Sequence, residues 1–83
     1  MKDGSYQMDR EVVNGITLTL ASWKPNPDYP GSYEIGYRRG DEFSLIQWDG
    51  LPATIAWGIV LRLAAKGRTA HQIRKVLDKV SSR

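Results

Sequence analysis

Apolar and polar residues alternate along the first half of the chain, which is the pattern of half-buried β-strands. Residues 16–23 alternate strictly and predict a strand with one buried and one solvent-facing side. The dipeptide Asn14-Gly15 precedes this strand and predicts a two-residue hairpin turn, because both central positions of that turn need a positive φ. Residues 1–10 are polar with little periodicity and predict either a flexible segment or a short edge strand. The apolar positions of the alternating strand are Ile16, Leu18 and Leu20.

Two further strands are predicted over residues 32–38 and 42–48, joined by a tight turn around Gly40. A three-residue loop at 39–41 is the favoured register, since it gathers aromatic and aliphatic side chains on one face. Ile46 and Trp48 then lie on the opposite face and give the sheet a second apolar side. The predicted pairs are Tyr37 with Phe43, Ile35 with Leu45, and Tyr33 with Gln47.

Two helices are predicted after the strands. Residues 53–65 are apolar nearly all round, so this helix is expected to be buried in the domain or against another chain. Gly67 is typical of a residue just past a helix end. Thr69 and Gln72 have the spacing of a capping box, which predicts a second helix from Ala70 to about Ser81. Its apolar positions recur at helical spacing and are Ile73, Val76, Leu77 and Val80.

The order of these elements predicts the fold class. Strands come first and helices last, which indicates an α+β fold with a three- or four-stranded antiparallel sheet followed by a C-terminal two-helix hairpin. One domain spans residues 1–83, with the sheet over 12–48 and the helices over 52–82. The apolar helix is expected to pack across the sheet with the basic helix outermost. Between the strands, the proline-rich residues 24–31 predict a stiff loop with Tyr29 near its tip.

Charge is divided unevenly along the chain. Residues 61–83 carry seven basic residues and one acid, whereas the first sixty residues carry a net charge of −3. The C-terminal end is therefore expected to face an anionic partner.

The sequence predicts no enzyme. The chain has no cysteine, its acidic residues are scattered rather than clustered, and its single histidine, His71, has no adjacent acid. Phosphate-binding glycine motifs do not occur, and no metal or cofactor is predicted. The first ten residues lack the apolar segment of a signal peptide, and the apolar stretch of about fifteen residues at 51–65 is shorter than the roughly 20 that span a bilayer. A soluble, cytoplasmic protein is expected.

The basic helical end resembles a helix-turn-helix in outline, and nucleic acid is the first partner hypothesis. The pattern departs from that motif at Arg68, a turn position that is usually apolar, and at Leu63, where a small residue normally permits close packing. The alternatives are a basic solvated helix face without a ligand and a surface for an acidic protein. Phosphate contacts are predicted for Arg68, Arg74, Lys75 and Lys79, and base contacts for His71 or Gln72.

Aromatic residues suggest two further interpretations. Tyr29, Tyr33, Tyr37 and Phe43, near Arg38 and Arg39, have the composition of a surface that stacks unpaired bases. The favoured interpretation is that the strand aromatics form the core, because a domain this small needs them inside. The second function hypothesis is a protein-binding inhibitor or adaptor of bacterial or phage type, whose anchors would be Tyr29, Tyr33, Tyr37, Trp48 and Trp57. Apolar sheet surface that the helices leave uncovered is expected to bind a partner or a second copy of the chain as a homodimer.

Overall fold

The computed structural model describes residues 6–22, 33–48 and 50–81. Four antiparallel strands form one sheet in which each strand pairs with the next along the chain, and two helices follow, so the α+β fold is confirmed. The sheet begins at residue 6 rather than 12, and its first strand is an edge strand. The proline-rich loop with Tyr29 lies outside the described residues. The elements are β1 (Tyr6–Val13), β2 (Ile16–Ser22), β3 (Tyr33–Arg39), β4 (Glu42–Gln47), α1 (Ala53–Ala65) and α2 (Ala70–Ser81).

The first hairpin has the predicted two-residue turn. Val13 pairs with Ile16, and the intervening Asn14 and Gly15 have φ values of 54° and 76°. Positive φ at both positions is the conformation that Asn-Gly adopts at low steric cost.

The predicted register of the second hairpin is wrong by one residue. Arg39 pairs with Glu42 across a two-residue turn, which sets Ile35 opposite Ile46. Side chains alternate with a period of two, so this shift moves every β4 side chain to the other face. Ile46 and Trp48 are buried with Ile35, and the predicted second apolar face containing them does not exist. Burial of Ile46 and Trp48 beneath the helices selects this register. A comparison of cross-strand pairs does not include that contribution to the free energy of folding.

Both helices pack on the same face of the sheet. Helix α1 contacts β1 and β2, while α2 contacts β4 and α1. The prediction that the basic helix lies outermost is therefore wrong, because Ile73 and Leu77 of α2 are fully buried in the core. Helix α1 is not buried all round either, since Ile55 is exposed. The buried residues of α1 are Ala53, Ala56, Val60 and Ala64.

The turn between the helices is fixed at both ends and on its underside. The N–H groups of Gly67 and Arg68 donate to the carbonyls of Ala64 and Leu63, which closes α1 with a Schellman motif at a φ of 78° for Gly67. Beneath the turn, the Tyr37 hydroxyl donates to the Arg68 carbonyl at 2.9 Å. The start of α2 is thus held against β3.

Within the three described ranges, no helix combines the length and the apolar character needed to cross a membrane.

Candidate nucleic-acid interface

Helix α2 exposes a polar crest along its length. Ala70, Ile73 and Leu77 are its buried residues. At 3.6 residues per turn, the side opposite to them carries four exposed residues, which we call the α2 crest. The α2 crest consists of His71, Gln72, Lys75 and Lys79. Four of the six residues predicted for nucleic-acid contact therefore share one surface.

The start of α2 has the predicted capping box. The Thr69 N–H donates to Gln72 Oε1 at 3.0 Å, and the Gln72 N–H donates to Thr69 Oγ1 at 3.1 Å. Because the carboxamide oxygen of Gln72 is engaged, its NH₂ group supplies the two donors that remain for a ligand. The cap also fixes the orientation of the first turn, which carries no acidic residue.

Arg74 lies on the flank of α2 rather than on the crest. Its Nη1 donates to the Leu45 carbonyl of β4 at 3.2 Å, while the side chain remains exposed. A guanidinium has five N–H donors, so this bond leaves donors for a phosphate. The contact holds Arg74 at the side of the crest that faces the β4 edge.

Further cations surround the turn between the helices. Arg68 is exposed in the turn, and Arg62 and Lys66 are exposed near the end of α1. Asp78 is the one acidic residue in either helix. The exposed surface of the two helices is thus positively charged, as the uneven distribution of charge along the sequence predicts. This surface lies on the side away from the sheet because both helices pack on one face of the sheet.

A cleft of about 560 Å³ lies between the β3–β4 turn and the start of α2. Arg39 and Glu42, which pair across the hairpin, line it together with His71. Its lining therefore combines a cation and a carboxylate, and it extends the polar surface of the crest toward the sheet.

The predicted aromatic anchors are distributed differently. Tyr33, Tyr37 and Trp48 are 1%, 3% and 4% exposed, so they belong to the core and offer no anchoring surface. Trp48 Nε1 donates to the Leu51 carbonyl at 2.9 Å, which satisfies its polar atom inside the protein. Trp57 is half-buried against the core, and Tyr29 lies outside the described residues.

Phe43, like Trp48, is an aromatic residue that the predicted register placed on the wrong face of the sheet. It is 53% exposed on the face of the sheet opposite to the helices. Alternation alone could not identify this position, because the choice between the two faces depends on the register. The identity of Gly36 on the facing strand is the signal that was available, since glycine in a strand often marks the close approach of another group.

Comparisons with protein-family models, with curated protein sequences and with solved structures found no match. Among the described residues, no group of three or more His, Cys, Asp or Glu side chains is placed to hold a metal ion. The exposed basic residues of the α2 crest and the cations around it are the chemical features from which a function can be proposed.

Proposed function

We propose that this protein is a non-enzymatic, cytoplasmic accessory protein that binds nucleic acid through the α2 crest. Lys75 and Lys79 would contact phosphates from the crest, with Arg74 on its flank and Arg68 at its N-terminal end. His71 and Gln72 would lie nearest to base edges. The observation that carries the proposal is the exposed basic crest of a helix whose opposite side is anchored in the core.

The dimensions of α2 suit a groove. Twelve residues at 1.5 Å per residue give a helix of about 18 Å, and the major groove of B-DNA admits an α-helix. The positive end of the helix dipole lies at Ala70, where a phosphate is favoured. The bonds of the Thr69–Gln72 cap restrict how the first turn can present its side chains, which lowers the entropy lost on binding.

The test is duplex DNA binding followed by fluorescence anisotropy at about 50 to 200 mM salt, with the double variant Lys75→Gln/Lys79→Gln. Each lost phosphate contact lowers the slope of log affinity against log salt by about one, so the variant should bind more weakly with a slope smaller by about two. Both side chains are exposed, and the thermal unfolding midpoint should change little.

The matched control is Arg39→Gln/Arg62→Gln. It removes the same charge from exposed residues outside the α2 crest and should leave duplex affinity and its salt slope close to wild type. Absence of duplex binding at low salt would refute the proposal, and so would equal loss in both double variants, because equal loss would reflect net charge rather than a surface.

A further inference from the structure

The face of the sheet opposite to the helices, here called the outer face, is not covered by α1 or α2. It is defined by the side chains that alternate with the buried ones in the observed register. These include Thr17 and Thr19 of β2, Gly36 and Arg38 of β3, and Phe43 and Leu45 of β4. Phe43 and Leu45 are both substantially exposed there.

Phe43 and Arg38 form a cation–π pair on the outer face. The guanidinium carbon of Arg38 lies 5.1 Å from the centroid of the Phe43 ring, directly across the strand pair. The ring rests over Gly36, where a Cβ atom would come within 3.2 Å of Phe43 Cε1. The missing side chain at residue 36 thus leaves room for the Phe43 ring close to the sheet, and the exposed Arg38 guanidinium lies over that ring.

The charged side chains of the strands are divided between the two faces of the sheet. Asp9 and Glu11 pair with Leu20 and Leu18, which places their side chains on the helix-facing side at the sheet edge. Glu42 shares that side, because it follows the alternation of Ile46. Arg10 and Arg38 instead point to the outer face.

Glu34 is the acid of the described strands on the outer face, and its carboxylate accepts a hydrogen bond from Gln47 Nε2 at 3.3 Å. Among the described strand residues, the outer face therefore carries two basic side chains against one acid, although the first sixty residues carry a net negative charge.

We infer that the outer face binds single-stranded nucleic acid, with an unpaired base stacked on the Arg38–Phe43 pair and phosphates near Arg10 and Arg38. Aromatic rings and guanidinium planes both stack bases, and four-stranded sheets of this size accommodate two or three of them. The inference shares its ligand class with the proposed function but concerns a different surface, on the opposite side of the domain.

A second copy of the chain fits this face less well. Two copies joined through this face would each contribute Arg10 and Arg38 against Glu34, the single acid of the described strands there, so like charges would meet across the interface, which is unfavourable. The paired cation and ring also match a planar, anionic ligand better than they match an identical face.

The test compares wild type with Phe43→Leu and Arg38→Lys in anisotropy titrations of a labelled oligothymidylate of eight nucleotides. Both substitutions preserve net charge, and each removes one member of the Arg38–Phe43 pair. Each should weaken binding between about 5-fold and 150-fold, the range expected for loss of one base–aromatic stack, with little change in the salt slope. Duplex affinity should stay within about twofold of wild type, because the crest is on the other side.

Lys75→Gln/Lys79→Gln is the reciprocal control and should retain most of its oligothymidylate affinity. Oligothymidylate binding that is lost in this variant but unaffected by Phe43→Leu would overturn the inference while leaving the proposed function standing. Lack of oligothymidylate binding beside normal duplex binding would also overturn it. A concentration-dependent dimer that Phe43→Leu dissociates, seen by sedimentation, would assign the outer face to a second copy, and equal competition by polyglutamate would assign it to an acidic protein.

Discussion

Tyr37 shows how one side chain joins the two layers of the protein. Its ring is in the core, and its hydroxyl donates to the Arg68 carbonyl in the turn between the helices. We expect Tyr37→Phe to lower the free energy of unfolding by about 0.5–1.5 kcal/mol, because the partly buried carbonyl loses its partner while the ring still packs. Chemical denaturation measures this directly. A variant as stable as wild type would mean that water replaces the hydroxyl without cost.

Arg74 illustrates a residue whose position serves two purposes. Its bond to the Leu45 carbonyl occupies a backbone acceptor on β4, which is an edge strand. Edge strands with unpaired backbone groups invite pairing with other chains, and a charged side chain at the edge opposes this. For this reason Arg74 is a poor choice for testing nucleic-acid contact alone, since its loss would alter both the edge and the charge.

At the scale of the element, β4 is the strand whose register decides which surface the protein presents. The matched variants Leu45→Ala and Ile46→Ala test it. Ile46 is fully buried, so its truncation should cost about 2–5 kcal/mol of unfolding free energy. Leu45 is 44% exposed, and its truncation should cost less than about 1 kcal/mol.

The register predicted from cross-strand pairs reverses this order, because it buries Leu45 beside Ile35 and exposes Ile46. Urea titration of the two variants distinguishes the registers without a further structure. An equal m-value in both would show that the comparison reports stability rather than a change in the denatured state.

At the scale of the whole molecule, the core is shared between the sheet and both helices. Ile16, Ile35, Val60 and Leu77 come from four different elements and are all fully buried in one cluster. We therefore expect a single cooperative transition, with far-UV circular dichroism and tryptophan fluorescence changing at the same denaturant concentration. Separate transitions would mean that the helical hairpin and the sheet fold independently, contrary to the shared core.

The sequence by itself determined the elements whose signals are local. The Asn14-Gly15 turn needs positive φ at two adjacent residues, and the Thr69–Gln72 cap needs two side chains three residues apart. Such interactions involve neighbours in the chain, so residue type and spacing are sufficient to predict them. The order of strands and helices, and the basic character of α2, follow from the same kind of reading.

Tertiary structure alone decided which faces these elements present. The register of β4 and the position of α2 beside α1 both depend on burial summed over distant residues, in particular Ile46, Ile73 and Leu77. No pattern within a short stretch of the sequence indicates the total burial of these distant residues. The same packing placed Arg38 and Phe43 together on the outer face, because a side chain's face is fixed by the register, and the register is fixed by what the core can bury.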